Sequence, residues 1–297
     1  MRDETITTRP VPVAYRDFGG DGTPVVLLHG LGGTAADWNR FASRLPGHRV
    51  VAVDLRGHGG SGDGPWEWDA VLDDIEAVVG HLGLDAPAVV GMSLGGWVAA
   101  MWGLRHPECP AVVDLDGHRS ALTRPEHYLG IDPATRDAEL ARLREMFLTP
   151  QEGPYDPDTV ATLRGHHVAA AAAFGGDGEQ AGESFDRQLV TRDGATYVRP
   201  KWPLLEQVRA ALDAIDMFPQ FAALRCPFLL VVGTEMMPAQ EAFAELTRAH
   251  QRGIAEAVRR LTAARPDLRV EWIKASHAML VERPDDLAEL TLGMLDH

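Results

Sequence analysis

The feature that most constrains this chain is a serine flanked by glycines between two apolar stretches. A run rich in β-branched residues ends at Gly91, Ser93 follows, and Gly95 begins a stretch of helical composition. This G-x-S-x-G spacing predicts a strand, a sharp turn and a helix, because the strained turn leaves no room for large flanking side chains. Ser93 would then lie at the N-terminus of a helix, where free N–H groups and the helix dipole stabilise negative charge. We therefore predict that Ser93 is a nucleophile.

Strand and helix patterns alternate on both sides of this motif, which indicates an α/β protein with right-handed crossovers. A segment that alternates apolar and polar residues, 11–18, is expected to begin the sheet. Runs that are apolar without alternation are typical of strands buried on both faces of a mainly parallel sheet. Such runs cover residues 24–30, 50–53, 111–115 and 228–232, and a last strand over 268–273 precedes a terminal helix over 284–295.

Between residues 118 and 222 the pattern changes to helical segments separated by proline and glycine, without a buried strand. We interpret residues 118–222 as a mainly helical cap, inserted into a core that is formed by residues 1–117 and 223–297. Asp156 followed by Pro157 is typical of a helix start within the cap. Large apolar side chains of this insertion are available to roof a pocket, although some of them must form the core of the cap itself: Tyr128, Met146, Phe147, Phe174, Trp202, Met217 and Phe218.

Composition excludes several classes of function. The chain has 28 Lys and Arg against 43 Asp and Glu, a formal net charge of −15, which argues against nucleic acid as a partner. No apolar run approaches the ~20 residues that a membrane span needs, and no secretory signal is visible, so we expect a cytoplasmic protein without membrane contact. The two cysteines form no C-x-x-C pair, and no zinc pattern is present, so we expect neither metal nor cofactor.

A nucleophilic serine needs a base within hydrogen-bond distance and an acid that orients this base. Of the twelve histidines, His277 has the best position for the base. It follows the last predicted strand and precedes the last helix, which places it at the sheet edge where Ser93 emerges. We predict that His277 is the general base.

Four segments, in their order and spacing, form a specific set. They are LHGLGG at 28–33, DLRGHG at 54–59, GMSLGG at 91–96 and the pair Ser276-His277. As a set they resemble the α/β-hydrolase family. The resemblance implies an α/β-hydrolase fold, with a mostly parallel central sheet flanked by helices and a cap between strands six and seven. It also implies an oxyanion hole formed by the backbone N–H groups of Leu31 and Leu94.

The acid that orients His277 has two candidates. In the commonest form of the family it follows the strand equivalent to 228–232, where this chain offers only Glu235, one place early. In some branches, including haloalkane dehalogenases and zearalenone lactone hydrolases, the acid instead follows the preceding strand, a little over twenty residues after the nucleophile. Asp116 has this spacing, and we favour it on this likeness over Glu235. Asp114, deeper in the same strand, is interpreted as structural.

A serine at this position argues against the dehalogenase and epoxide-hydrolase branches, which use a carboxylate nucleophile. The expected reaction is cleavage of a carboxylic ester or lactone of a hydrophobic small molecule through an acyl-enzyme. The same residues would serve a thioesterase or a carbon–carbon bond hydrolase. A biosynthetic cyclase or a ligand-binding protein would keep the fold without needing them. These alternatives, and the oligomeric state, stay open on the sequence.

Overall fold

The protein is built on an eight-stranded sheet, here in a computed structural model that describes residues 1–7, 10–120, 122, 124–147 and 153–296. The strands in chain order are β1 (Arg2–Ile6), β2 (Val13–Gly19), β3 (Pro24–Leu28), β4 (Arg49–Val53), β5 (Ala88–Met92), β6 (Val112–Leu115), β7 (Leu189–Arg192), β8 (Ala195–Val198), β9 (Phe228–Gly233) and β10 (Arg269–Ile273). The sheet order is β1-β2-β4-β3-β5-β6-β9-β10, and β7 and β8 form a separate hairpin. β2 pairs antiparallel with β1 and β4, and the other neighbours in the sheet are parallel.

Helices pack on both faces of the sheet. They are α1 (Asn39–Ala42), α2 (Trp68–Leu82), α3 (Leu94–Arg105), α4 (Pro133–Phe147), α5 (Pro157–Ala173), α6 (Gly178–Arg187), α7 (Trp202–Ala214), α8 (Met217–Ala223), α9 (Ala244–Ala264), α10 (Met279–Glu282) and α11 (Pro284–Leu295). Short 3-10 helices lie at Ala35–Trp38, Pro125–His127 and Pro238–Phe243. Two apolar clusters fill the space between helices and sheet, one on each face. The predicted α/β architecture with a mostly parallel sheet is confirmed. Among the described residues, no helix has both the length and the apolar composition to cross a membrane.

One prediction about the strands is wrong, and one strand pair in the cap segment carried no buried-strand pattern. The sheet begins with β1 and not with residues 11–18, because β1 is an edge strand whose exposed, mostly charged residues lack an apolar pattern. The cap segment, residues 118–222, contains the β7–β8 hairpin, whose short strands are partly exposed. Its turn at Asp193 and Gly194 has positive φ at both residues, 51° and 78°, as Asp-Gly hairpin turns do. The Asp-Gly pair was therefore the available signal for this hairpin.

The parallel register brings the carboxyl ends of several strands to one edge of the sheet. Met92 at the end of β5 lies opposite Leu115 at the end of β6, and Leu115 lies opposite Val231 of β9. Ile273 at the end of β10 lies opposite Gly233. The residues that follow β5, β6 and β10 therefore meet at this edge, which is where open α/β sheets bind their ligands.

The cap segment lies between the sixth and seventh strands of the central sheet, as the resemblance implies. Its C-terminal part does not behave as a separate unit, because α8 packs into the core. Met217 and Phe221 are fully buried, and Phe221 stacks on Phe228 of β9 at 4.9 Å between ring centroids. The predicted boundary at residue 222 stays a prediction.

Met217 and Phe218 are two of the apolar side chains that the sequence offers for the roof of the pocket or for the core of the cap. Both side chains are buried in the core cluster under α8. Phe218 also lines a cavity of about 520 Å³ between α8 and α9, which neither Ser93 nor His277 lines. Of the other side chains available for the roof, Met146 is half exposed, and the side chain of Phe147 lies outside the described residues.

Candidate active site

The turn after β5 holds Ser93 in a strained backbone conformation that leaves no room for side chains at Gly91 and Gly95, two residues before and after it. Ser93 has φ 53° and ψ −114°, and Leu94 is the first residue of α3. A Cβ atom at Gly91 would lie 1.9 Å from the carbonyl oxygen of Gly95, and one at Gly95 would lie 2.0 Å from that of Leu28. Close packing therefore requires both glycines, which is the steric reason behind the G-x-S-x-G spacing.

Ser93, His277 and Asp116 are joined by hydrogen bonds. Nε2 of His277 lies 3.0 Å from Oγ of Ser93, and Nδ1 lies 2.6 Å from Oδ2 of Asp116. An ionised carboxylate only accepts hydrogen bonds, so Nδ1 carries the ring proton and Nε2 of the neutral ring presents its lone pair to Ser93. The three residues thus have the geometry of a nucleophile, a base and an orienting acid.

Oδ1 of Asp116, the carboxylate oxygen that does not contact His277, has two hydrogen-bond donors. Oδ1 accepts from the backbone N–H of Gly233 at 2.9 Å and from Nε2 of His118 at 3.0 Å. The backbone N–H of Arg119 donates to Nδ1 of His118 at 2.8 Å, which assigns the proton of this ring to Nε2. The carboxylate is therefore held at both oxygens, and Oδ2 is directed at His277.

These contacts shift the pKa values of the acid and the base in opposite directions. Burial raises the pKa of Asp116, but the adjacent His118 and His277 lower it by more, so it lies below the ordinary value of 3.8. Desolvation lowers the pKa of His277, but the hydrogen bond and the charge of Asp116 outweigh this and raise it above the ordinary 6.5. The carboxylate therefore stays charged beside a base that it strengthens.

Glu235, the alternative acid, does not reach His277. Its side chain is exposed, and its backbone N–H donates to the carbonyl of Ala275 at 3.0 Å. In the described part of the chain, the carboxylate that bonds to Nδ1 of His277 is that of Asp116. His118 is the residue that sequence analysis missed, because a histidine two residues beyond an acid carries no signal until the loop geometry is known.

The expected oxyanion donors belong to the two segments that border Ser93. Leu94 begins α3, so its N–H has no acceptor within the helix. Leu31 follows Gly30, and a Cβ atom built on Gly30 would lie 3.4 Å from Cβ of Ser93. The assignment of these two N–H groups to an oxyanion hole stays a prediction.

Comparison with known proteins places this chain in a family. A sequence profile of the alpha/beta hydrolase family matches residues 25–290. The chain belongs to this family. It is 35% identical over 111 residues to the sn-1-specific diacylglycerol lipase ABHD11 of Mus musculus, and this match covers 35% of this chain and 36% of the relative. It is 39% identical over 114 residues to the bifunctional esterase/perhydrolase DCH of Acinetobacter calcoaceticus, and this match covers 35% of this chain and 40% of the relative. The chain thus spans between a third and two fifths of the length of these relatives.

Solved structures share the fold over the whole chain. E-2-(acetamidomethylene)succinate hydrolase matches 100% of this chain and 99% of its own, with a TM-score of 0.72 and 19% identity. The enol-lactonase from Burkholderia xenovorans matches 99% of this chain and 100% of its own, with a TM-score of 0.61 and 20% identity. At these identities the likeness shows the fold alone. The α/β-hydrolase fold that the motifs imply is confirmed.

Proposed function

We propose that this chain is a serine hydrolase that cleaves a carboxylic ester or lactone of a hydrophobic small molecule through an acyl-enzyme. The observation that carries the proposal is the hydrogen-bonded series from Ser93 through His277 to Asp116 at the carboxyl edge of the sheet. Relatives named as a lipase and an esterase support an ester bond as the target.

In the proposed reaction, Oγ of Ser93 attacks the substrate carbonyl carbon while its proton moves to Nε2 of His277. The carbonyl oxygen becomes an oxyanion, for which the N–H groups of Leu31 and Leu94 are the proposed donors. The tetrahedral intermediate expels the alcohol, which takes the proton from His277, and the acyl group stays on Ser93. Water then attacks the acyl carbon with His277 again as base, and release of the acid restores Ser93. Asp116 stabilises the imidazolium in both halves.

The substrate class rests on the surroundings of the serine and on the charge of the chain. Leu31, whose side chain is 42% exposed, presents apolar surface at the turn that borders Ser93. The formal charge of −15 disfavours polyanionic acyl carriers such as coenzyme A esters. The lactone part of the proposal rests on the position of Asp116 after β6, a position that zearalenone lactone hydrolases also use.

Labelling with a fluorophosphonate probe tests the nucleophile. Oγ of Ser93 should displace fluoride from phosphorus, so that the peptide containing Ser93 in the parent gains the mass of one probe less HF. Ser93→Ala should lose this label, and its hydrolysis of p-nitrophenyl butyrate should fall by about 10⁴-fold or more. The matched control is Ser43→Ala, because Ser43 is exposed and its Oγ donates only locally, to the carbonyl of Arg40. It should label and turn over like the parent.

Two results would overturn the proposal. Labelling at a residue other than Ser93, or a Ser93→Ala variant within about tenfold of the parent rate, would remove the nucleophile. Cleavage of a vinylogous diketone in preference to every ester and lactone of a panel would replace the ester by a carbon–carbon bond.

A further inference from the structure

The turn that carries Leu31 is held by side chains at both of its ends. The backbone N–H of Gly33 donates to the carbonyl of Gly30 at 2.9 Å, and Gly32 has φ +76°. A bond from the fourth residue to the first, with positive φ at the third, is typical of a type II turn. The direction of the Leu31 N–H depends on how firmly this turn is fixed.

His29 fixes the first peptide of the turn from the core side. Nδ1 of His29 lies 2.8 Å from the carbonyl oxygen of Gly30, and Nε2 accepts from the backbone N–H of Leu55 at 3.0 Å. Because the Leu55 N–H can only donate, the ring proton is on Nδ1 and is donated to Gly30. Burial lowers the pKa of His29 to about 4, so this ring is neutral. The peptide whose nitrogen is that of Leu31 is therefore held through its own carbonyl.

Gln188 fixes the last peptide of the turn, and it comes from the cap segment. Its Nε2 donates to the carbonyl oxygen of Gly32 at 2.6 Å, and the side chain is buried. Gln188 links α6 to β7 and is itself fixed, since its N–H donates to the carbonyl of Phe185 at 2.9 Å and its carbonyl accepts from the N–H of Arg199 at 3.0 Å. The backbone of Gln188 is thus fixed at the point from which its buried side chain reaches Gly32.

The helix that precedes Gln188 is anchored to the core beside the turn. Nε of Arg187 donates to Oδ2 of Asp54 at 2.8 Å, and Oγ of Ser184 donates to Oδ1 of Asp37. Through these contacts the Gln188 amide is set against a rigid support.

We propose that Gln188 is a positioning residue for the oxyanion hole, so that the cap segment completes the site from outside the core. The inference rests on the proposed function, since it needs the Leu31 N–H as an oxyanion donor. The hydrogen bonds from His29 to Gly30 and from Gln188 to Gly32 together fix the orientation of the turn. Without the Gln188 hydrogen bond the turn can change its orientation, and the Leu31 N–H then moves away from the position where the oxyanion forms.

The expected effect is on the transition state and not on substrate binding. Removal of a whole oxyanion donor costs about 10²–10³-fold in kcat, and a misplacement of about 1 Å costs up to ~10²-fold. Loss of the Gln188 hold should therefore lower kcat by about 10- to 100-fold and leave KM within about threefold, because the ground-state carbonyl does not need the donor.

Two variants and one matched control test this. Gln188→Leu removes the amide, and Gln188→Glu keeps its size but puts an acceptor opposite the Gly32 carbonyl. Gln180→Leu is the control, because Gln180 lies on the same helix but, in the described part of the chain, its side-chain amide bonds to the carbonyl of Asp37 and the N–H of Arg40 and not to the turn. All are assayed for kcat and KM on p-nitrophenyl butyrate, for the inhibition constant of an alkyl trifluoromethyl ketone, which forms a tetrahedral oxyanion on serine, and for the thermal midpoint.

Both Gln188 variants should lose kcat, and their inhibition constants for the ketone should rise by a similar factor, while Gln180→Leu stays within about threefold of the parent. If Gln188→Leu does not fold, the Gln188→Glu variant alone decides. Equal losses in the Gln180 and Gln188 variants, or kcat of the Gln188 variants within about threefold of the parent, would overturn the inference. Failure of the parent itself to react at Ser93 would instead overturn the proposed function.

Discussion

Replacement of Asp116 by asparagine tests its role as the acid, because it changes which nitrogen of His277 carries the ring proton. Oδ1 of Asp116 accepts from the N–H of Gly233 and from Nε2–H of His118. In Asp116→Asn the amide oxygen must take this place, since an amide nitrogen there would face two donors. The amide nitrogen then replaces Oδ2 and donates to Nδ1 of His277. This forces the ring proton onto Nε2, where it faces Ser93 and leaves no acceptor for the Oγ proton.

The expected loss in kcat is about 10⁴-fold, which corresponds to about 5.4 kcal/mol of transition-state stabilisation. Two effects contribute to it: the ring is held in the wrong tautomer, and the imidazolium loses the anion at 2.6 Å. The substitution conserves shape and keeps both hydrogen bonds at Oδ1, so the variant should fold like the parent.

Initial rates of p-nitrophenyl butyrate hydrolysis, with circular dichroism to verify folding, measure this loss. Glu235→Gln is the matched control, because it makes the same change from carboxylate to amide at the exposed alternative acid. It should stay within about twofold of the parent. The reasoning fails if Asp116→Asn keeps activity within about tenfold of the parent, or if Glu235→Gln loses more than Asp116→Asn does.

Two further predictions concern protonation and stability. Asp116 raises the pKa of His277 and only the neutral ring is a base, so the acid limb of kcat/KM should have its midpoint above 6.5 in the parent and lower in Asp116→Asn. A parent midpoint below 6.5, measured from about pH 5 to 9, contradicts this. Phe221→Ala removes a fully buried ring and should lower the free energy of unfolding in urea by about 3–5 kcal/mol. Met146→Ala, at a half-exposed side chain, should cost about 0.5 kcal/mol or less, and equally small losses in both would place α8 outside the core.

The nucleophile turn could be predicted from sequence because the spacing of its two glycines is local. A side chain at Gly91 would collide with the backbone of Gly95, and one at Gly95 would collide with the carbonyl of Leu28 on β3, so the glycines indicate both the turn and the close packing of α3 on the sheet. His277 could be selected in the same way, since a loop after the last parallel strand ends at the sheet edge where Ser93 emerges.

The choice between Asp116 and Glu235 depends on contacts that sequence spacing does not contain. Both are carboxylates just beyond a strand end. Asp116 meets His277 and His118, whereas Glu235 faces solvent. The first strand was missed for a similar reason. β1 is a strand because it pairs with β2, with Asp3 bonded to Arg16 at 2.7 Å, and not because its own residues favour burial.

Asp114 in β6 and Asp116 just beyond its end have pKa values shifted in opposite directions, because they have different numbers of hydrogen-bond donors. Asp114 is fully buried, its Oδ1 accepts from the N–H of Gly117 at 2.6 Å, and in the described part of the chain its Oδ2 has no hydrogen-bond partner. Burial and the nearby charge of Asp116 raise the pKa of Asp114 well above 3.8 and favour its neutral form. Asp116, with donors at both oxygens, keeps its charge. A second anion beside it would raise the pKa of Asp116 and weaken its hold on the proton of His277. The raised pKa of Asp114 therefore favours a single negative charge beside the base, that of Asp116.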